Sequence, residues 1–164
     1  MDVVWPGLRL LLLLLAVANT APIAAKRLLA ARWDTPLDGG LLFFDGRPLL
    51  GRSKTVRGAV AAVLATALAA YPLGIDATLG AAIGALAMLG DALSSFTKRR
   101  LGIDSSGRAT GIDQIPEALL PLLVLQDALV LSLPQVAAIT AAFFLLEIPL
   151  AWLSHRLGLR DRPY

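Results

Sequence analysis

Hydrophobic positions along this chain gather into five long runs, separated by two polar loops and two short links. A helix needs about 20 mostly apolar residues to cross a bilayer, because hydrocarbon offers no partner to an unpaired backbone group. The runs cover residues 5–25, 56–73, 78–97, 115–131 and 136–157. "GIDA" links the second run to the third, and "SLPQ" links the fourth to the fifth. The expected fold is all-α: one polytopic integral membrane domain over residues 1–164, with about five transmembrane helices and cytoplasmic loops at 26–55 and 98–114. The first loop is punctuated by Pro36, Gly39, Gly40, Gly46, Pro48 and Gly51, and reads as turns with a short hairpin around "LLFFDG".

Charge sets the orientation. Of the 15 Lys and Arg residues, all but Arg9 lie in or beside the two long loops or in the C-terminal tail. Five spans place both loops and the tail on one side, which the positive-inside bias assigns to the cytoplasm. The N-terminus is then outside, the C-terminus cytoplasmic, and the protein belongs to the cell (inner) membrane. Ala16, Ala18 and Ala21 give the first run some likeness to a cleavable signal. Its single early cation, Arg9, and the even number of spans that cleavage would leave favour a retained helix. Composition agrees: 57% of residues are hydrophobic and 16% charged, against about 25% charged in soluble domains.

The chain has no cysteine, which excludes disulfides, thiolate zinc sites and cysteine nucleophiles. The one histidine, His155, sits near the C-terminus and cannot by itself make a histidine cluster. Chemistry is left to carboxylates, hydroxyls, amines, backbone groups or a bound metal.

The third run is the most informative. Asp91, Ser94, Ser95 and Lys98 are spaced i, i+3, i+4, i+7 and share one helical face. Gly80 and Gly84, one turn apart, suit close approach of a neighbouring helix, within the chain or in a homodimer. A carboxylate inside a span costs roughly 2.5–3.5 kcal/mol, so Asp91 either faces a polar cavity or makes a structural hydrogen bond. The following loop adds Asp104, Asp113 and Glu117. Asp91 and Asp113, reaching one point from helix and loop, would suit Mg²⁺, which takes one or two carboxylates plus substrate phosphates. Asp104 reads as a turn former, and Asp113 has a second reading as a residue favoured at a helix N-terminus.

The first loop carries Asp38, Asp45 and a basic run, Arg52, Lys54 and Arg57, with Ser53 and Thr55 between them; Asn19 and Pro22 stand just before the loop. Such a run meets lipid headgroups or sets topology, and its hydroxyls also suit phosphate oxygens. "GRPLLGRS" approximates a nucleotide-binding P-loop, but that motif needs a strand before it and a soluble βα unit. A membrane helix follows instead, and the P-loop reading is rejected.

"PLDGGLLFFDGRPLLGRSKTVRG", "GDALSSFTKRRLGI" and "GIDQ", in this order and separated by spans, resemble the CDP-archaeol synthase family. That family lies within the wider group of membrane CTP:phosphatidate cytidylyltransferases. Asn19 followed by Pro22 is similar to the family's opening motif. The resemblance implies Mg²⁺-dependent transfer of a cytidylyl group from CTP to a membrane lipid phosphate of the phosphatidic or archaetidic acid type. It implies Asp91 and Asp113 as metal ligands and catalytic residues, with Lys98 beside them. Lys54, Lys98 and Arg99 would meet phosphates, Thr55, Arg57 and Ser95 would support, and Asn19 and Asp38 match motif positions. The lipid phosphate is an ionised nucleophile, so no side-chain nucleophile is required. The family pattern Asp-Gln-(apolar)-Asp is broken here: Pro116 stands in place of the last Asp, with Glu117 beside it. The alternative is a catalytically silent relative that binds anionic lipid or partner membrane proteins. A transporter is disfavoured by the lack of inverted repeats, and nothing suggests a nucleic-acid partner.

Overall fold

Five α-helices make up the computed structural model, which describes residues 4–105, 107 and 109–156. They are α1 (Val4–Leu29), α2 (Val56–Ala70), α3 (Ala77–Arg100), α4 (Gln114–Val124) and α5 (Leu133–Arg156). Four of them are long and apolar enough to cross a bilayer: Gly7–Leu29, Val56–Leu73 (which takes in the 3₁₀ turn Tyr71–Leu73), Ala77–Arg100 and Leu133–Trp152. Arg108, Leu157, Arg160 and Arg162, part of the expected loop and tail, lie outside the described residues.

The starts of α2 and α3 are set by local chemistry. Thr55, in extended conformation, caps α2 by accepting from the Gly58 N–H at 3.3 Å. Asp76 caps α3, accepting from the Thr78 and Leu79 amides at 2.8 and 3.3 Å and from the Thr78 hydroxyl. These contacts, the Thr78 hydroxyl foremost, hold the exposed Asp76 carboxyl below its ordinary pKa. Between α2 and α3 the chain turns back through Gly74, whose φ of +72° lies in the left-handed region that favours glycine.

In lipid, helices attract one another by contact rather than by escape from water, so small residues decide who packs on whom. A Cβ on Gly80 would stand 2.5 Å from the Ala70 Cβ, and one on Gly84 would stand 2.9 Å from the Ala62 carbonyl. The glycine pair is therefore taken up by α2–α3 contact inside the chain. Gly58 does the same for α1 and α2, with Pro22 3.3 Å from its missing Cβ. Leu14 and Leu15 of α1, Ile83 of α3, Leu122 of α4 and Ile139 of α5 close the apolar core. Leu64, Leu68, Leu89, Leu93 and Leu145 turn outward.

The fourth segment departs from expectation. A helix over 115–131 is replaced by an 11-residue α4 and turns over 125–130. At 1.5 Å per residue α4 is roughly 16 Å long, about half the hydrocarbon thickness. The cause lies at its start. A Cβ on Gly90 would meet the Pro116 carbonyl at 2.2 Å, so α4 begins against α3 ten residues short of Arg100. That is roughly 15 Å along the axis. The second loop descends along α3 before α4 can start, and irregular backbone at that depth is tolerated where it lines a cavity.

Candidate active site

Where the descending loop, the first loop and α3 face one another lies a cleft of about 1070 Å³. It is at the upper end of the range for ligand pockets. Asn19, Lys54, Thr55, Arg57, Asp91, Lys98 and Asp113 line it, together with Glu117 and Glu147. Of the residues expected at the site, Asp38, Ser95 and Arg99 are not among its lining.

Two lysine–aspartate pairs stand on its walls. Lys54 Nζ contacts both oxygens of Asp91, at 2.6 and 2.5 Å. Lys98 Nζ contacts Asp113 Oδ1 at 2.5 Å and donates to the Gly107 carbonyl at 3.2 Å. The second Asp113 oxygen accepts from the Ala109 amide at 3.1 Å. Asp113 is thus tied to the loop that brings it there. The i, i+7 spacing of Asp91 and Lys98 does put both on the cleft side of α3. Ser94, between them, turns to α4 and bonds to the Gly90 carbonyl at 3.0 Å.

The remaining expected residues build the walls. Arg57 is buried and its guanidinium donates to the Ala30 and Arg32 carbonyls and, at 2.6 Å, to Asp34. It fixes the chain leaving α1. Asp38 is buried and accepts from the Gly40, Leu50 and Gly51 amides at 2.9, 2.8 and 3.2 Å. Burial acts to raise its pKa, but these three amides outweigh burial and hold it below the ordinary 3.8. Gly51, at φ +94°, must be bare: a Cβ there would meet Ser105 Oγ at 2.9 Å and Arg99 Nη1 at 3.2 Å. Arg99 is buried and donates to the Asp104 carbonyl at 2.7 Å. Ser95 is buried within the bundle.

One contact, and Glu147 within it, went unrecognised in the sequence. Asn19 Nδ2 donates to Glu117 Oε2 at 3.0 Å and to Glu147 Oε1 at 3.2 Å, joining α1, α4 and α5. Glu117 is buried, and its Oε1 has no hydrogen-bond partner. The signal available was Glu117 at i+4 from Asp113, which keeps an acid on the face that Pro116 vacates. Glu147 had no such signal.

The donor set is all oxygen, with an unsatisfied buried carboxylate oxygen beside Asp91 and Asp113, and it fits a hard divalent cation. Among the described residues no three acidic, histidine or cysteine side chains are grouped to hold a metal alone. A cation held here would need substrate oxygens to complete its coordination.

The model of the CarS-like CDP-archaeol synthase family matches residues 70–164. A CDP-archaeol synthase of Aeropyrum pernix is 35% identical over 94% of this chain and 90% of that one. One from Thermofilum pendens is 35% identical over 90% and 76%. One from Hyperthermus butylicus is 42% identical over 60% of this chain and 59% of the relative. A solved structure described as an intramembrane enzyme for archaeal membrane lipids biosynthesis aligns with a TM-score of 0.73 at 31% identity, covering 85% of this chain and 89% of that one. On these likenesses, the chain belongs to the CDP-archaeol synthase family.

Proposed function

We propose that this membrane protein is a nucleotidyltransferase that moves a cytidylyl group from CTP to a lipid phosphate, forming a CDP-lipid and pyrophosphate. The observation that carries this reading is the pairing of Lys54 with Asp91 and Lys98 with Asp113 in one cleft at the end of the bundle. An oxygen of the lipid phosphate attacks the α-phosphorus of CTP. The bond from that phosphorus to the bridging oxygen breaks, and pyrophosphate leaves with the bonding electrons. The nucleophile is already ionised, so the work is positioning and charge stabilisation. Lys54 and Lys98 are placed to exchange carboxylate for phosphate oxygens, and Thr55 holds the start of α2 at the cleft wall. Asp91 and Asp113 would hold a divalent cation, Mg²⁺ by the hardness of the donors, which supplies Lewis-acid neutralisation of the phosphate charge. Arg57 and Asp38 act on the loop and not on substrate.

The lipid that fits the relatives' name is the archaetidic acid type. The basic loops favour a cleft open to the cytoplasm, with the N-terminus outside. The catalytically silent reading is not favoured, since both acids and both lysines stand in the cleft. Purified protein with labelled CTP, Mg²⁺ and a panel of archaetidic and phosphatidic acids tests the reading. CDP-lipid is the expected product, formed best from an archaetidic acid. No product from any lipid, beside a working control enzyme, would overturn it.

A further inference from the structure

The first loop contains a hairpin, 41–49, that takes no part in lining the cleft. Backbone bonds from Phe43 N–H to the Arg47 carbonyl and from Leu49 N–H to the Leu41 carbonyl, both 2.8 Å, close it. Three of its side chains are apolar and bare: Phe44 is 100% exposed, and Leu41 and Leu42 are 63% and 65% exposed. Exposed apolar groups gathered on one short hairpin mark a surface that meets something.

Where the hairpin is fastened says what it meets. Phe43 packs edge-on against Phe96 with ring centres 5.2 Å apart. The Arg100 guanidinium lies 4.6 Å from the Phe43 ring centre and 5.0 Å from that of Phe96. It also donates to Asp45 and to the Pro48 carbonyl, both at 2.6 Å. Arg47 in turn donates to the Arg99 and Arg100 carbonyls, at 3.2 and 2.9 Å, and so closes the end of α3. Phe96 and Arg100 continue, at helical spacing, the stripe of Leu89 and Leu93, which is half exposed. That stripe is the side of α3 that faces lipid. The hairpin is clamped to the outer edge of the span, away from the cleft.

We propose that hairpin 41–49 is an interfacial membrane anchor, with Phe44, Leu41 and Leu42 seated in the boundary between lipid headgroups and acyl chains. Aromatic side chains concentrate at that depth, and apolar faces there bury about 5–10 Å into the boundary. Arg100, lying against both rings, keeps its charge at headgroup level, as cations at span ends do. The inference rests on α3 spanning the bilayer and not on the cytidylyl chemistry.

The chain's lack of cysteine makes the test clean. Phe44→Cys, Leu42→Cys, the lipid-facing control Leu93→Cys and the loop control Asp104→Cys are spin-labelled singly. Each full-length variant is reconstituted in vesicles of phosphatidylcholine and phosphatidylglycerol. Accessibility to oxygen and to a water-soluble nickel chelate is then read by power saturation. The expected result is an oxygen-to-nickel ratio at positions 44 and 42 several-fold above that at 104, approaching that at 93. A ratio equal to that at 104 overturns the proposal. So does dipolar broadening between labels at 44 that diminishes on dilution with unlabelled protein, because a second copy would then cover the tip. Leu42→Cys keeps the outcome readable if replacing Phe44 disturbs the hairpin.

Discussion

Lys54 and Asp91 meet across 37 residues of sequence, the ammonium within 2.6 Å of both carboxylate oxygens. The contact joins the start of α2 to the middle of α3, and both side chains retain about a fifth of their surface. A structural ion pair at this site and a substrate-binding one predict different kinetics. Removing one preorganised charge from a phosphate-transfer site costs roughly 100- to 1,000-fold in turnover. Lys54→Ala and Asp91→Asn should each fall in that range. The double variant should fall little further, because the two act as a unit. CDP-lipid formation from labelled CTP measures this, and full turnover by Lys54→Ala would reduce the pair to a scaffold.

Gly90 is where α3 admits α4. A methyl group there meets the Pro116 carbonyl at 2.2 Å, so Gly90→Ala must push the helices apart. Overpacking of this kind costs about 1–3 kcal/mol. The thermal midpoint of the protein in detergent should drop. Gly7→Ala, inside α1 with nothing within 4 Å of the added carbon, serves as the control and should not lower the midpoint.

Asp38 makes the first loop sensitive to acid. Its folded-state pKa lies below 3.8, so the unfolded loop binds the proton more readily. The carboxylate's contribution is complete above pH 3.8 and disappears as pH falls through the depressed value. The protection of the Gly40, Leu50 and Gly51 amides, measured as exchange relative to the intrinsic rate at each pH, should therefore fall in that acid window and stay high at neutral pH. In Asp38→Asn the protection should be low throughout, with the acid step gone.

Arg57 holds residues 30–34 by two carbonyls and one carboxylate. Arg57→Met removes the donor shared by those acceptors, at about 0.5–1.5 kcal/mol per hydrogen bond. Limited proteolysis should cut near Trp33 sooner than in the parent protein. Asp34→Asn should change little, since Asp34 is 57% exposed and water can replace the partner. Equal protection of Arg57→Met and the parent would show that the loop is held elsewhere.

Much of this was legible in the chain itself. Long apolar runs announced α1, α2, α3 and α5, because in lipid a helix must satisfy its own backbone. The spacing of Gly80 and Gly84 announced a tight contact, and that of Asp91 and Lys98 a shared polar face. "LLFFDG" announced a hairpin. What escaped was whatever depended on the second loop dipping beside α3. Hydropathy along 115–131 cannot reveal that α4 starts at the level of Gly90, for that is decided by contact with another helix. The same displacement brings Glu117 to Asn19. Arg57 and Asp38 show a related difficulty: a charged residue in a motif looks alike whether it faces a ligand or ties down its own loop.

Asn19 bridges Glu117 and Glu147, and so binds the first helix to the last. The consequence concerns the order of synthesis. A nascent chain that has threaded α1 through α4 into the bilayer still lacks one wall of the cleft, and only the emergence of α5 supplies it. Until α5 has emerged, Asn19 and Glu117 wait in lipid without Glu147, the partner that completes their bridge. A truncated product ending before residue 147 should accordingly be a target for membrane quality control, and not a smaller working enzyme.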